Sequence, residues 1–235
     1  MATLEDHPIP RAADARPRLV LFDVFETLLA LEPLRQRFVD VGRPPYELEL
    51  FFARTLRDGM ALTLAGDAPP FAEVAMAALR TTSGHTLDEA ALSHVLDGFA
   101  ELPVQPDAEP AIRRLVDAGV PAYAFTHGGA RTADTALRRA GLTGLLRGVL
   151  SAESLRSFKP PARVYHWATG QVGSPPECTA LVAVHSWDVH GAVRAGLLAG
   201  FATRLEGAVP ATVDVPHAVG ERLDEVIEEL LALPE

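Results

Sequence analysis

The chain has a single cysteine, Cys178, among its 235 residues. It can therefore form no intrachain disulfide and offers no cluster of thiolates to a metal ion. No apolar run approaches the length of a membrane span. Basic residues are scattered and outnumbered, and the net charge is −10. Without a basic patch to attract polyanions, we expect no nucleic-acid partner and no membrane partner.

The remaining composition is that of a globular protein, with 48% apolar and 22% charged residues. The length fits one large domain, or a core domain that carries an insertion. Residues 1–17 are polar and contain proline, without the apolar segment of a signal peptide. We predict that they form a disordered leader, and a cytoplasmic location is the default expectation.

One short apolar run near the N-terminus ends abruptly in a carboxylate. Leu19 to Phe22 are apolar, Asp23 follows directly, and Thr27 comes four residues later. Strands buried on both faces of an α/β sheet have continuous apolar runs of this kind. An acid at the carboxyl end of such a strand lies where open α/β sheets bind their ligands. Asp23 is therefore predicted to be a nucleophile, with a helix-capping role as the alternative.

The segment after this strand has the periodicity of helices. Residues 33–100 contain no convincing strand and predict four helices separated by proline or glycine. The clearest has an amphipathic stripe that includes Phe51 and Phe52. Short helices with short connections suggest a small bundle. Because residues 32–104 are inserted after the first strand, we expect them to form a cap over Asp23.

From residue 105 onward, helical and strand patterns alternate. Repeated strand–helix units imply an α/β fold with a parallel sheet and helices on both faces. Residues 18–31 and 105–235 would form this core. The later strands are predicted at Val120–Phe125, Gly148–Ser151, Ala180–Val184 and Gly200–Leu205.

Chemically useful residues follow four of the predicted strands. Each has a simpler explanation when taken alone: Thr126 as a helix N-cap, Lys159 as a solvated lysine, and Asp188 as a helix cap. Parallel strands, however, bring their carboxyl ends to one edge of the sheet. We therefore predict one site from the residues at these ends, which are Asp23, Thr27, Thr126, His127, Lys159, His185 and Asp188.

Four motifs in this order resemble the haloacid dehalogenase superfamily, and most of all its L-2-haloacid dehalogenase branch. They are Asp-x-Phe-x-Thr-Leu, a Thr after the second strand, Lys-Pro-x-x-x-Val-Tyr and Trp-Asp-x-x-Gly-Ala. The match covers about residues 18–31 and 105–205. The resemblance implies a Rossmann-like core with a helical cap, no metal, no other cofactor, and a homodimer.

Two positions differ from the phosphatases of this superfamily. Phe25 stands where those enzymes place an Asp as general acid, and a phenyl ring cannot transfer a proton. Val184 stands where they carry an additional acid that helps to hold Mg²⁺, an ion that requires oxygen ligands. We therefore predict no required metal and disfavour phosphoryl transfer.

The resemblance also implies a reaction. Asp23 would attack C2 of a small (S)-2-haloacid, and hydrolysis of the resulting ester would release a 2-hydroxy acid. Arg54 lies in the pattern Leu-Glu-x-x-x-x-Arg and is the candidate for stabilising the leaving halide, with His127 beside it. Lys159 and Thr126 would neutralise the substrate, which is a small carboxylate.

The same resemblance assigns the remaining site residues. Asp188 is the candidate base for the attacking water, together with His185. Tyr165 would form a hydrogen bond within the site. An apolar wall that strengthens these interactions is expected from Phe25, Phe52 and Trp187.

Three positions differ from the family's dehalogenases. Glu26 replaces a glycine and adds negative charge near an anionic substrate, while His127 and His185 replace asparagines. Two other hypotheses therefore remain open. In the first, the chain is a related hydrolase that acts on another small carboxylate or on a phosphate ester. In the second, it is a non-catalytic member that binds a small molecule or a protein.

Overall fold

The computed structural model describes residues 15–234, so most of the predicted leader, residues 1–14, lies outside the described residues. The first described residues adjoin the C-terminus, because the backbone N–H of Arg16 donates to the carbonyl of Pro234 at 2.6 Å. Among the described residues, no helix is both long and apolar enough to cross a bilayer.

The core of the described chain is a parallel sheet. Its strands are β1 (Leu19–Phe22), β2 (Ala122–Thr126), β3 (Val149–Ser151), β4 (Thr179–Ala183), β5 (Leu198–Ala202) and β6 (Ala218–Gly220). They are arranged in the order β3-β2-β1-β4-β5-β6, and every neighbouring pair is parallel. The order changes direction next to β1, and a crevice for a ligand forms at such a point. Residues that follow β1, β2 and β4 are therefore neighbours at one edge.

The helices of the described chain cover the sheet and the edge where the strands end. They are α1 (Leu34–Asp40), α2 (Glu47–Leu64), α3 (Phe71–Thr82), α4 (Glu89–Asp97), α5 (Ala108–Asp117), α6 (Ala130–Arg139), α7 (Ala162–Val172), α8 (Ser186–Arg194) and α9 (Leu223–Leu231). The first four lie between β1 and β2 in the chain. The predicted α/β fold with four inserted helices is thus confirmed.

The end of the sheet differs from the prediction. The strand expected at Gly200–Leu205 runs instead over Leu198–Ala202, and residues 203–206 form a turn. Gly200 lies in the middle of this strand, where α9 packs directly on it: a Cβ there would come within 2.4 Å of a Val226 methyl carbon. The sheet also continues into β6, a half-buried strand too short to be recognised by an apolar run.

Both faces of the sheet are buried, and β1 shows why its sequence is continuously apolar. Val20 and Phe22 belong to the cluster that includes α5, α9 and the inserted helices. Leu19 and Leu21 belong to the cluster that includes α7 and α8. The burial of every residue of β1 fixes the position at which Asp23 leaves the sheet.

Aromatic rings join the inserted helices to the loop after β1. The ring of Phe25 packs against that of Phe99 at 5.1 Å and against that of Phe71 at 5.7 Å. A second ring pair, Phe38 and Phe51, lies within the inserted helices at 5.7 Å. Burying a phenyl ring in such a cluster stabilises the fold by about 1.5–3 kcal/mol.

Helix α2 also contacts the loop that precedes Lys159. The Oγ1 atom of Thr63 accepts a hydrogen bond from the backbone N–H of Phe158 at 2.9 Å. The Phe158 ring lies against Gly59 so closely that a Cβ at position 59 would come within 2.2 Å of it. The inserted helices therefore help to position the loop that carries the lysine.

We predict that Gly59→Ala destabilises the protein by about 1–3 kcal/mol, because the new methyl group displaces the Phe158 ring. Denaturant unfolding measures the change. Gly170→Ala on α7 is the matched control, since its Cβ meets nothing within 4 Å. The control should be neutral or stabilising by up to about 1 kcal/mol. Equal free energies of unfolding for the two variants would contradict this account of the α2 contact.

Candidate active site

The Asp23 carboxylate lies at the centre of the site and is only 4% exposed. Its Oδ1 atom accepts a hydrogen bond from Lys159 Nζ at 2.8 Å. Its Oδ2 atom accepts from Thr27 Oγ1 at 2.8 Å and lies 3.1 Å from His185 Nδ1. The next helix, α1, begins only at Leu34. The capping alternative for Asp23 is therefore wrong, because its side chain binds other side chains.

Lys159 is the only lysine in the sequence, and it is fully buried. Its Nζ atom contacts Asp23 and Asp188 and lies 3.4 Å from the carbonyl oxygen of Phe125. A lysine has three N–H bonds to donate, and these three acceptors use them. The surface-lysine alternative is thus wrong. The ammonium also has no N–H left for a direct hydrogen bond to a substrate carboxylate.

Asp188 is joined to Asp23 through this lysine. One of its oxygens accepts from Lys159 and the other accepts from the hydroxyl of Tyr165 at 2.6 Å. The cap alternative for Asp188 is wrong, because these contacts occupy both oxygens. Burial raises the pKa of Asp188 and the nearby Asp23 adds to the rise, while Lys159 opposes it. Burial also holds the Tyr165 pKa well above its usual value, so the phenol stays a donor.

The charge states of the nucleophile and its histidine neighbour depend on each other. Burial alone would raise the pKa of Asp23, but the cations Lys159 and His185 outweigh it and hold that pKa well below its usual value. Burial opposes protonation of His185, yet hydrogen bonds to Asp23 and Glu26 raise its pKa to about 9. At neutral pH, therefore, Asp23 is ionised and His185 is an imidazolium. An imidazolium cannot accept a proton, which argues against the predicted role of His185 as a base.

Glu26, which the sequence left unexplained, contacts the other side of this imidazole. Its Oε2 atom lies 2.9 Å from His185 Nε2. The residue has a φ of +65°, a left-handed conformation that glycine adopts freely and other residues adopt at a cost. The family glycine at this position is consistent with that conformation. The negative charge of Glu26 is thus directed toward a cation.

Arg204 holds the Glu26 loop and was missed by the sequence analysis. Its guanidinium donates to the carbonyl oxygens of Glu26 and Thr27 at 2.8 and 2.7 Å and forms an ion pair with Asp107 at 3.0 Å. The sequence placed it within a strand, whereas it lies in the turn after β5. Its only local signal was an arginine close after an apolar run, near the same edge of the sheet.

His127 forms a neutral part of the site. Burial lowers its pKa to about 3, and Lys159 acts in the same direction. The ring stacks on Phe158 at 4.9 Å and on Trp187 at 5.8 Å. Its Nδ1 atom has no hydrogen-bond partner among the described residues. Leaving a buried polar atom without a partner costs free energy, and a bound ligand could supply the missing hydrogen bond to Nδ1.

Thr126 shapes the loop next to His127. Its Oγ1 atom accepts from the backbone N–H of Gly128 at 2.9 Å. The N-cap residue of helix α6 is Gly129, and no side chain caps this helix. The N-cap alternative for Thr126 is therefore wrong. The Thr126 hydroxyl proton can still be donated to a ligand.

Two predicted cap residues, Arg54 and Phe52, are not among the hydrogen-bond or ion-pair partners of Asp23. Arg54 on α2 is half-buried and makes no hydrogen bond or ion pair with any residue between 15 and 234. The ring of Phe52 packs near Phe99 and lines a groove together with Glu26. The structure thus gathers the core residues of the predicted site and leaves Arg54 as a cation without a partner.

A cavity of about 470 Å³ lies between the inserted helices and the loop after β2. Phe25 and Gly128 line it, together with residues of α3 and the start of α6. Because the backbone N–H of Gly128 also donates to Thr126, the cavity adjoins the loop that carries Thr126 and His127. Within residues 15–234, no group of three or more His, Cys, Asp or Glu side chains could hold a metal ion. The absence of a metal requirement remains a prediction.

The chain is similar in sequence to several dehalogenases, although no family model matches it. It is 26% identical to an (S)-2-haloacid dehalogenase of Pseudomonas putida, over 88% of this chain and 93% of that protein. It is 29% identical to (S)-2-haloacid dehalogenase 4A of Burkholderia cepacia, over 76% of this chain and 80% of that protein.

Solved structures give the same result for the fold. An L-2-haloacid dehalogenase matches with a TM-score of 0.87 at 25% identity, over 93% of this chain and 100% of that one. The L-2-haloacid dehalogenase of Xanthobacter autotrophicus with chloropropionic acid covalently bound matches with a TM-score of 0.83 at 20% identity, over 92% and 99%. The resemblance to the haloacid dehalogenase superfamily and to its L-2-haloacid dehalogenases is thereby confirmed.

We predict that His185 makes stability depend on pH between about 6.5 and 9. Its pKa is 6.5 when unperturbed and about 9 in the folded protein, so its stabilising effect is complete below about pH 6.5 and is lost as pH rises through 9. The shift corresponds to roughly 3 kcal/mol. Unfolding of the native protein and His185→Asn should therefore be compared across this range. If the free energies of unfolding of the native protein and of His185→Asn change with pH in parallel, the assignment of a charged His185 is contradicted.

Proposed function

We propose that this protein is a hydrolase acting on carbon–halide bonds, which converts small (S)-2-haloacids to 2-hydroxy acids through an ester on Asp23. The observation that carries this proposal is a buried, ionised Asp23 with Phe25 two residues later. A phosphatase would need a proton donor at position 25. A halide leaves as a stable anion and needs no proton. Similarity to (S)-2-haloacid dehalogenases over most of the chain supports the same reaction.

The first step forms the ester. A carboxylate oxygen of Asp23 attacks C2 from the side opposite the halogen, and the carbon–halogen bond breaks as the halide leaves with its electron pair. Lys159 and His185 keep the carboxylate ionised. Arg54, which has no partner in the described structure, is the cation proposed to stabilise the departing halide. The Nδ1 atom of His127 and the hydroxyl of Thr126 are the neutral polar groups available to the substrate.

The second step releases the product. Water adds to the carboxyl carbon of Asp23, and the bond between that carbon and the ester oxygen breaks. The 2-hydroxy acid therefore keeps an oxygen from Asp23, and water replaces it. Asp188 is the proposed base for this water, since its raised pKa makes it a better proton acceptor than an ordinary carboxylate. Tyr165 and Lys159 hold it in place.

The inserted helices would exclude water from these steps. We assign residues 32–104 to the cap and residues 18–31 and 105–235 to the core. Phe25, Phe52 and Trp187 are proposed to form the apolar wall, which strengthens the electrostatic interactions inside the site.

The proposal also includes the homodimer that the resemblance implies and a cytoplasmic location. Light scattering of the purified protein tests the dimer.

The alternatives differ from this proposal in identifiable groups. A phosphatase would need an acid near position 184, but Val184 offers only a backbone N–H, which donates to Thr27. Hydrolysis of another small carboxylate by the same ester route is distinguished by substrate alone. A non-catalytic binding protein would retain the site without turnover.

We predict that the protein releases halide from (S)-2-chloropropionate and not from the R form, with or without EDTA. Asp23→Asn should lower the rate by about four orders of magnitude or more, because it removes the nucleophile. Halide release measured by ion chromatography tests this. Phosphate release that depends on Mg²⁺ would instead support a phosphatase. An unreactive native protein would support the binding alternative.

A single turnover in ¹⁸O-labelled water tests the covalent step directly. The label should enter the carboxylate of Asp23, which mass analysis of its peptide detects. Label in the product alone would show direct attack of water on C2 and would exclude the ester.

We predict that Arg54→Gln lowers halide release by roughly 100-fold, because the leaving halide loses its cation. Arg57→Gln is the matched control, one turn away on α2 and paired with Asp58 on the surface. The control should keep the native rate. Equal rates for the two variants would remove Arg54 from the mechanism.

A further inference from the structure

Two of the departures from the family pattern are in contact with each other. Glu26 and His185 are separated by 159 positions in the sequence, yet Oε2 of one lies 2.9 Å from Nε2 of the other. The second ring nitrogen, Nδ1, lies 3.1 Å from Asp23 Oδ2. The imidazole thus bridges a supporting carboxylate and the nucleophile. Only a doubly protonated ring donates to both acceptors.

The backbone of Glu26 is held in the conformation that this contact needs. Its φ of +65° is a left-handed conformation that residues other than glycine adopt only at a cost in free energy. Arg204 holds the carbonyl of Glu26 at 2.8 Å, and the N–H of Glu26 donates to the carbonyl of Leu29 at 2.8 Å. Such strain persists only where the surroundings fix it, and here the surroundings direct a carboxylate at His185.

We propose that Glu26 is a positioning residue, which holds His185 as an imidazolium against Oδ2 of Asp23, so that the nucleophile works between two cations. Lys159 serves Oδ1, but it shares its charge with Asp188. His185 serves Oδ2 together with the hydroxyl of Thr27. This proposal rests on the proposed function for its kinetic consequence, and on the geometry alone for the charge of His185.

The arrangement suits the second step of the reaction. If the ester forms through Oδ1, Oδ2 becomes the carbonyl oxygen and keeps both of its donors. Addition of water to the carboxyl carbon places negative charge on Oδ2, where an imidazolium and a hydroxyl already point. Donors fixed at the atom where charge develops are the most effective form of electrostatic stabilisation. Collapse of this intermediate breaks the bond between the carboxyl carbon and Oδ1. The leaving Oδ1 takes up the proton that Asp188 accepted from the water, so the product departs as a hydroxy acid.

The state of His185 depends on every charged group around it. Asp23 and Glu26 favour its cation, while burial opposes the cation. The neighbouring imidazole of His127 is neutral. The charged and titratable groups that act on the Glu26–His185 pair are Asp23, His127, Arg204 and Glu206. Arg204 holds the Glu26 carbonyl, and Glu206 accepts from the backbone N–H of Ser186 next to His185. Lys159 and Asp188 act on the pair through Asp23.

The test is an NMR titration of the His185 ring, assigned with His185→Asn. In the native protein the ring should titrate near pH 9, and in Glu26→Gln the midpoint should fall by about one pH unit or more. Glu26→Gly removes the same carboxylate and accepts a positive φ, so it should give the same fall in a relaxed backbone. Glu109→Gln, whose carboxylate pairs with Arg113 on the surface of α5, is the control and should leave the midpoint unchanged. A ring that is neutral at pH 7 in the native protein, or equal midpoints in all variants, would overturn the proposal.

Kinetics then separate positioning from a general effect on structure. Glu26→Gln should lower kcat for halide release about 10- to 100-fold with little change in KM, and should move the alkaline limb of the pH profile to lower pH. Glu26→Gln combined with His185→Asn should be no slower than His185→Asn alone, because Glu26 acts through the ring. Additive losses would overturn the proposal. A native protein that releases no halide would refute the proposed function and leave the titration result standing.

Discussion

The site depends on one buried cation, the ammonium of Lys159, which lies between the carboxylates of Asp23 and Asp188. Two carboxylates this close in a dry environment repel each other, and without the lysine one of them would take up a proton. The nucleophile would then be at risk of neutralisation. Removing one partner of a buried ion pair typically costs 3–5 kcal/mol, so folding and chemistry rely on the same contact. The chain has one lysine among 21 basic residues, and it stands here.

The position of that lysine is set from both parts of the molecule. The sheet places Asp23 directly after β1, and helix α8, which follows the neighbouring strand β4, supplies Asp188. The inserted helices hold the loop before Lys159 through Thr63 and through the close contact between Gly59 and Phe158. A shift of α2 would therefore move the ammonium as well as Arg54, which lies on the same helix. The helices thus influence the electrostatics of the nucleophile through the loop that carries Lys159.

Much of this arrangement was predictable, because the apolar residues of a buried strand and the reactive residue that follows it are neighbours in the sequence. The apolar run that ends in Asp23 gave both a strand and a site residue, and parallel topology predicted that the strand ends converge. The partners of Glu26 were not predictable. Its contact with His185 spans 159 positions and its contact with Arg204 spans 178, and its left-handed backbone has no signature in a glutamate. The bounds of β5 were also misplaced, because Gly200, predicted as the first residue of the strand, lies in its middle, where α9 packs directly on it.

The two histidines that stand where the family has asparagine differ in their charge. The sequence contains no asparagine at any position, so its absence at 127 and 185 is not by itself a sign of altered chemistry. His127 remains neutral, as an amide would be, and keeps a free polar atom. His185 instead gains a positive charge, because Glu26 lies on its far side. Both rings stack on Trp187, yet only one changes the charge of the site. The pair of Glu26 and His185, rather than the loss of asparagine, is therefore the departure from the family pattern that bears on mechanism.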